Sequence, residues 1–282
     1  MSGITCRNSD SRQLHSTSWI FANSFCPETA VYLFEEINFR IFVELGKCRG
    51  VLEVRILWGS RQIRWVSYSS YLRNMTALKK AYLGMQCFWG ESSFAKVDGI
   101  MKTRVGYAGG KKLSPSYYDI GDHTETIEVQ YDDGLVTYET ILDWFWSHHD
   151  PTQKFKKQYE SVIFYTDEEQ KKVAEKSIQQ IQRKFSPRVV FTRLVQLDKF
   201  YQAEDYHQKY WLRCQPAVYN KLGLSDEQLV SSTLAAKVNA FLAGYDNFKV
   251  LEKLADEYHL DPDLKKSIGL IARRGGDPRA CH

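Results

Sequence analysis

The sequence predicts a two-layer domain in which helices pack on a β-sheet, of the α+β or α/β class. Between residues 79 and 214, segments that alternate apolar and polar side chains are interleaved with segments of helical periodicity. After Pro216 the signals are helical alone. We therefore divide the chain into an N-terminal extension at 1–75, a central domain at 76–215 and a helical C-terminal extension at 216–282.

The predicted strands of the central domain begin with a short apolar run at residues 81–85. Residues 101–107 and 127–131 have the two-residue period of half-buried strands. Residues 189–197 are predicted as a further strand. A helix is predicted directly after the first strand, at 88–97.

Two longer helices follow in the central domain. The first contains Tyr138 and ends near Asp150, because Pro151 disfavours helical geometry in the residue before it. The second is predicted to begin with a capping box of Thr166 and Glu169. Its apolar face consists of Val173, Ile178, Ile181 and Phe185.

The C-terminal extension is predicted to be helical up to a mobile tail at residues 273–282. Ser225 and Gln228 form a capping box, and Gly244 is placed to end the helix that they begin. Asn247 and Pro262 are expected to open two further helices.

The N-terminal extension mixes strand-like alternation with charges at residues 31–42 and 51–65. We assign no function to it.

Composition excludes several classes of protein. The most apolar stretch, residues 30–45, is broken by Glu35, Glu36, Arg40 and Glu44, so no segment has the roughly 20 apolar residues of a membrane span. The net charge is +4, from 38 basic and 34 acidic residues that are interspersed. No basic stripe of the kind that follows nucleic-acid phosphates is present.

The six cysteines include no C-x-x-C pair, which argues against a disulfide framework or a zinc finger. A reducing, cytoplasmic location is expected, and no secretory signal is recognisable at the N-terminus. Acidic residues are scarce before Glu28, so a mitochondrial transit segment is the alternative.

Cys87 is the candidate nucleophile. It follows the first predicted strand and opens a helix, where free backbone N–H groups and the helix dipole stabilise a thiolate. The alternative is a structural cysteine packed beside Phe88 and Trp89.

A set of motifs then resembles one known family. In order, they are Gly84-Met85-Gln86-Cys87-Phe88-Trp89-Gly90, Val105-Gly106-Tyr107-Ala108-Gly109-Gly110, Ser114-Pro115-Ser116-Tyr117, Gly121-Asp122-His123-Thr124-Glu125 and Ala203-Glu204-Asp205-Tyr206-His207-Gln208. Their order and spacing, over residues 79–213, resemble the A-type peptide methionine sulfoxide reductases. The resemblance implies an α+β two-layer sandwich, a ferredoxin-like plait with added helices, at 76–215.

The resemblance also implies roles for individual residues. Cys87 attacks the sulfoxide sulfur and becomes a sulfenic acid as methionine departs. Phe88 and Trp89 form an apolar wall around the S-methyl group. Glu125 is the matching acid, since a carboxyl group aimed into an apolar pocket stays protonated. On the same strand, Glu128 is expected to be solvated.

Tyr117 and Tyr159 match the two tyrosines of the family whose hydroxyl groups bind the sulfoxide oxygen. Because Tyr118 is adjacent to Tyr117, this assignment is uncertain by one residue.

Two features depart from the family pattern. A Gly-Asn-Asp-His-Gly insertion, whose Asp helps to position the substrate in the family, has no counterpart between Gln153 and Gln158, so the chain resembles a short-loop branch. The basic residues Lys154, Lys156 and Lys157 stand there instead; they either bias peptide preference or form a solvated face.

No glycine-rich tail with resolving cysteines like those of the family follows His207. Cys281, behind Gly275 and Gly276 in a tail expected to be mobile, is the favoured resolving cysteine. Cys214 and direct reduction by an external thiol are the alternatives. The resemblance implies thioredoxin as the electron donor, with dithiothreitol as its laboratory substitute.

The sequence leaves three other interpretations open. A cysteine hydrolase would use Cys87 with His207 and Asp205. A metal-binding protein would use a set of side chains consisting of His148, His149, Glu204 and His207. A non-catalytic methionine sulfoxide binder is the third.

The favoured function is thiol-dependent reduction of methionine S-sulfoxide, free or in oxidised proteins. Such a repair enzyme is expected to need no metal or organic cofactor. We expect a monomer that binds neither nucleic acid nor membrane.

Overall fold

A computed structural model describes residues 30–36, 39–48, 51–58 and 61–67 as secondary structure, and residues 78–85 and 90–275 in full. The chain divides into two compact units, one up to residue 77 and one from residue 78 onward.

The first unit contains a four-stranded antiparallel sheet whose strands lie in sequence order. The strands are β1 (Ala30–Glu36), β2 (Phe39–Cys48), β3 (Val51–Trp58) and β4 (Arg61–Ser67). The alternation seen at 31–42 and 51–65 therefore belongs to strands.

The second unit contains a six-stranded sheet. Its strands are β5 (Lys79–Met85), β6 (Ile100–Ala108), β7 (Thr124–Tyr131), β8 (Ser161–Tyr165), β9 (Arg193–Gln196) and β10 (Phe200–Gln202). The spatial order is β10-β6-β7-β5-β8-β9, and only β8 and β9 run parallel. The strands predicted at 81–85, 101–107 and 127–131 are confirmed.

The strand predicted at 189–197 is wrong in its first half. The N–H of Val190 donates to the side chain of Gln182, and the N–H of Phe191 donates to the carbonyl of Pro151. These residues therefore bond to the helix before them and to a neighbouring loop, and the strand starts only at Arg193.

The second unit has helices in both the central domain and the C-terminal extension. They are α1 (Gly90–Phe94), α2 (Tyr138–Ser147), α3 (Glu168–Phe185), α4 (Tyr210–Arg213), α5 (Pro216–Leu222), α6 (Asp226–Ser231), α7 (Thr233–Leu242), α8 (Phe248–Glu257) and α9 (Pro262–Arg274). One turn of 3₁₀ helix precedes β8, and another precedes α4.

Two predicted helix ends are corrected and the predicted starts of the last two helices are confirmed, since α8 follows Asn247 and α9 begins at Pro262. The N-cap of α3 is Asp167, whose carboxylate accepts from the N–H of Gln170 at 2.8 Å, and not Thr166. The capping box of Ser225 and Gln228 is confirmed. However, the helix that it begins ends at Ser231, because the next residue, Ser232, caps α7 through the N–H of Ala235.

The main apolar core lies between the sheet and the helices α2 and α3. Leu83, Ile127 and Ile163 of the strands are buried there with Phe145 and Ala174 of the two helices. The opposite face of the sheet carries a smaller cluster, formed by Tyr82, Ala108, Val162 and Phe164. The class is α+β, as the sequence predicts.

The C-terminal helices enclose a second apolar core, which includes Leu212, Val238, Phe241, Leu251 and Ile268. Ala95, directly after α1, is also part of it, and α7 contacts α1 and β6. The helical extension therefore packs on the segment that follows the candidate nucleophile. Within the residues that the structure describes, no helix is long and apolar enough to cross a membrane.

Candidate active site

The elements on either side of the candidate nucleophile are β5, which ends at Met85, and α1, which begins at Gly90. Cys87, Phe88, Trp89 and Cys281 lie outside the described residues, so the roles given to them stay predictions. A side chain at Gly90 would meet the sulfur of Met85 and the Cδ1 atom of Ile127 on β7. The start of α1 therefore lies against β7.

Glu125 lies on β7 and is 3% exposed. It is two residues from Ile127, and residues two apart on a strand project from the same face. The carboxylate atom Oε1 accepts a hydrogen bond from Nε2 of Gln158 at 3.0 Å. Glu125 is thus a buried carboxyl group on the face of the sheet against which α1 begins.

Glu128 is also buried, so the expectation that it would be solvated is wrong. It accepts hydrogen bonds from the hydroxyl of Tyr82 at 2.7 Å and from the guanidinium of Arg104 at 2.8 and 2.7 Å. Burial raises the pKa of Glu128, but these donors together with Gln130 outweigh it and hold the pKa below its usual value. A charged partner on β6 makes burial of this strand residue tolerable.

Tyr117 and Tyr159 come together although they are distant in sequence: their hydroxyl oxygens are 3.4 Å apart. Tyr117 belongs to the loop between β6 and β7 and packs against the main core. Tyr159 ends the 3₁₀ turn before β8. Tyr118 is 91% exposed, whereas its neighbour Tyr117 is the one whose hydroxyl meets that of Tyr159.

Glu204 positions Tyr117. Its Oε1 accepts from the backbone N–H of Tyr117 at 2.9 Å, and its Oε2 accepts from the hydroxyl of Tyr107 at 2.7 Å. Burial acts to raise the pKa of Glu204, but these two donors lower it below its usual value. The sequence motif around Glu204 was recognised, but this role was not.

His207 packs its ring on Tyr117, with the ring centroids 4.7 Å apart, and on Tyr206 at 4.2 Å. Burial lowers the pKa of His207. The neutral ring is therefore favoured at neutral pH.

Gln208 ties the same motif to the sheet. Its fully buried side chain accepts from the N–H of Val105 at 3.0 Å and donates to the carbonyl of Val105 at 2.8 Å. It also donates to the carbonyl of Ala203 at 3.0 Å. This amide continues the hydrogen bonding of β6 beyond the end of β10.

The loop that carries Tyr117 is held by His123 and Asp122. The N–H of Gly110 donates to Nδ1 of the fully buried His123 at 3.1 Å, so Nε2 carries the proton and donates to the carbonyl of Lys112 at 2.8 Å. Asp122 accepts from the N–H groups of Lys111 and Lys112. This motif therefore shapes the loop.

The turn that carries Tyr159 is held by ion pairs. Oε1 of Glu160 accepts from Lys157 at 2.6 Å, from Arg193 at 2.7 Å and from the hydroxyl of Thr124 at 2.9 Å. Nζ of Lys156 lies 4.8 Å from the centroid of the Tyr159 ring. The short loop thus places a cation on one of the two paired tyrosines.

A buried ion pair that sequence reasoning missed anchors α1. Nζ of Lys209 lies 2.6 Å from Oε1 of Glu91, and the two side chains are 0% and 3% exposed. Thr103 completes the arrangement, donating from its hydroxyl to Glu91 and accepting at its carbonyl from Lys209.

Lys237 of α7 caps the other end of α1. Its Nζ donates to the carbonyl oxygens of Ala95 at 2.8 Å and Val97 at 3.0 Å. Burial lowers the pKa of Lys237 to about 8, with the charge of Asp98 acting in the opposite direction.

The alternative metal-binding set is not brought together as a cluster. Nδ1 of His149 bonds to the carbonyl of Phe145 and Nε2 bonds to Ser161, both at 2.7 Å. His148 bonds to the carbonyl of Trp144. Within residues 78–85 and 90–275, no group of three or more His, Cys, Asp or Glu side chains has the arrangement of a metal site.

Cys214, the alternative resolving cysteine, is exposed.

Comparisons with known proteins agree with the motifs. The family described as peptide methionine sulfoxide reductase matches residues 79–237. A peptide methionine sulfoxide reductase of Drosophila melanogaster is 40% identical over 189 residues, which are 66% of this chain and 77% of that protein. The peptide methionine sulfoxide reductase MsrA of Methanothermobacter thermautotrophicus is 42% identical over 149 residues, 48% of this chain and 88% of that one.

A solved methionine sulfoxide reductase A of Corynebacterium diphtheriae is 29% identical, with a TM-score of 0.45, over 51% of this chain and 78% of that one. The sequence matches alone define the class of protein: an oxidoreductase that acts on oxidised sulfur. The chain belongs to the peptide methionine sulfoxide reductase family, A type, and it reduces methionine sulfoxide.

Proposed function

We propose that this enzyme reduces the S epimer of methionine sulfoxide, free or in oxidised proteins, with Cys87 as the nucleophile. The thiolate of Cys87 attacks the sulfoxide sulfur, and oxygen transfer leaves a sulfenic acid on Cys87 and releases methionine. Glu125 supplies the proton that the sulfoxide oxygen needs. The cysteine is oxidised by two electrons and the substrate sulfur is reduced by two.

The single observation that carries this proposal is the pairing of two tyrosine hydroxyl groups beside a residue that bonds to the buried carboxyl group of Glu125. Tyr117 and Tyr159 hold their hydroxyl oxygens 3.4 Å apart. Gln158, next to Tyr159, bonds to Glu125. Hydroxyl donors suit a polarised sulfoxide oxygen, and their interaction strengthens as negative charge develops on it.

In the second half of the cycle, a cysteine thiol attacks the sulfenic acid and releases water to form a disulfide. We assign this step to Cys281, with Cys214 as the alternative. Thioredoxin then reduces the disulfide by thiol–disulfide exchange. No metal or organic cofactor takes part in this scheme, and the enzyme acts as a cytoplasmic monomer.

The finer fold proposal is a ferredoxin-like plait. Strands β5 to β8 lie in the spatial order β6-β7-β5-β8, with α1 between β5 and β6 in the chain and α2 between β7 and β8. A β-α-β-β-α-β succession of this kind supports the proposal.

The test is mass-spectrometric turnover of a peptide containing each epimer of methionine sulfoxide, with dithiothreitol as reductant. We expect reduction of the S epimer alone, loss of turnover in Cys87→Ser, and a strongly slowed chemical step with retained substrate binding in Glu125→Gln. Full activity of Cys87→Ser would overturn the proposed mechanism.

The recycling step has its own test. Cys281→Ser is expected to retain activity with dithiothreitol and to lose it with thioredoxin, and Cys214→Ser is the matched comparison. Equal loss with both reductants would instead indicate a structural role for Cys281.

A further inference from the structure

The turn before β8 carries an excess of positive charge. Lys154 and Lys156 are exposed, and within the described part of the chain no carboxylate lies at ion-pair distance from either. Asp150 is paired with Arg188 at 3.8 Å. Glu160 is shared between two cations, as described above. The cations of this turn therefore exceed its carboxylates.

This charge lies beside the paired tyrosines. Lys156 is three residues from Tyr159, its carbonyl accepts from the N–H of Tyr159 at 2.9 Å, and its ammonium lies over the Tyr159 ring. The ammonium therefore lies over the ring of the tyrosine whose hydroxyl is 3.4 Å from that of Tyr117.

Two carboxylates close to Tyr117 are already occupied. Glu204 accepts from Tyr107 and Tyr117, and Asp119 is paired with Lys112 at 2.7 Å. These two carboxylates therefore do not neutralise the lysines beside Tyr159.

We propose that this enzyme prefers oxidised methionines that are flanked by an acidic residue, with Lys156, supported by Lys154, binding the neighbouring carboxylate. This inference rests on the proposed function, because it takes the tyrosine pair as the place where the sulfoxide binds. Exposed ion pairs are individually weak, so a preference of about fivefold in kcat/KM is expected from the two lysines.

The experiment tests each flank of the oxidised residue in turn. For each flank it compares three methionine S-sulfoxide peptides that differ only in having glutamate, alanine or lysine at the neighbouring position. For the unmodified enzyme we expect kcat/KM in the order glutamate, alanine, lysine on one flank. The order should fade as salt rises from about 0.02 M to about 0.5 M, because exposed charges are screened.

Two variants assign the preference to its residue. Lys156→Met keeps a long side chain over the Tyr159 ring and removes the charge, so the glutamate-to-lysine ratio should fall toward one. Lys156→Glu should invert the ratio. The ratio is measured within each variant, so a general loss of activity or a smaller folded fraction cancels.

Lys171→Met is the matched control, since Nζ of Lys171 lies over the ring of Tyr165 at 5.6 Å, at the far end of β8. Its ratio should equal that of the unmodified enzyme. Equal kcat/KM for all three peptides, or a ratio unchanged in Lys156→Met and Lys156→Glu, would overturn this inference alone. Failure to reduce any of the peptides would overturn the proposed function instead.

Discussion

Lys237 is buried where its charge is unfavourable, so the stability of the enzyme should depend on its protonation. The side chain is 7% exposed, and burial lowers its pKa from 10.5 to about 8. In the unfolded chain the ordinary pKa applies. Between pH 8 and 10.5 the unfolded state therefore binds more protons than the folded state, and the free energy of unfolding must rise with pH.

The size of the effect follows from the two pKa values. One pKa unit corresponds to about 1.4 kcal/mol, and the lysine carries its full penalty only while it is protonated in both states, below pH 8. Raising the pH from about 7 to about 9.5 should therefore increase the free energy of unfolding by about 2 kcal/mol through this one group.

The assay is urea unfolding of the enzyme and of Lys237→Met at both pH values, under reducing conditions. The variant lacks the titrating group, so the difference between the two proteins isolates it from all other titrations. Lys176→Met, at an exposed position of α3, is the control and should change with pH as the unmodified enzyme does. If the difference between the enzyme and Lys237→Met stayed constant within about 0.5 kcal/mol, the reasoning would be refuted.

Three further predictions concern the neighbourhood of the site. Glu91→Gln leaves the buried ammonium of Lys209 without an anion and should lower the free energy of unfolding by about 3–5 kcal/mol. Adding Lys209→Met should restore most of this loss, and an unchanged urea midpoint in Glu91→Gln would contradict the prediction. Gly106→Ala would push a Cβ into the carbonyl of Tyr201 and the ring of Phe200 on β10. The melting temperature should therefore fall and the amides of β10 should lose protection from hydrogen exchange, and normal protection would contradict the prediction. Tyr117→Phe should lower kcat by about 10- to 100-fold through the lost hydroxyl donor, while Tyr118→Phe should not; equal effects would show that the wrong tyrosine was chosen.

The fold was predictable wherever the local pattern is strong. β6 and β7 are predictable because their apolar residues follow the period of a strand, and β5 because it is a short apolar run. The box of Ser225 and Gln228 is predictable because it is contained within four residues. The strand at 189–197 was overestimated, because an apolar run does not reveal that Gln182 captures the backbone of Val190.

The site was predictable only as a set of motifs. Nothing local to Glu91 signals a partner 118 positions away, so its ion pair with Lys209 could be seen only in three dimensions. The burial of Glu128 is not predictable for the same reason, since its counter-charge, Arg104, lies on the neighbouring strand. Long-range pairing of charges is set by tertiary packing, which single-sequence patterns do not contain.

The side-chain amide of Gln208 covers the edge of β6 at the point where β10 stops pairing with it. A strand edge with unpaired N–H and C=O groups can pair with another extended chain. At Val105 both groups are taken by Gln208, and β10 pairs with residues 106–108. Another extended chain therefore cannot pair with β6 along residues 105–108, so a bound polypeptide finds no main-chain partner on this stretch.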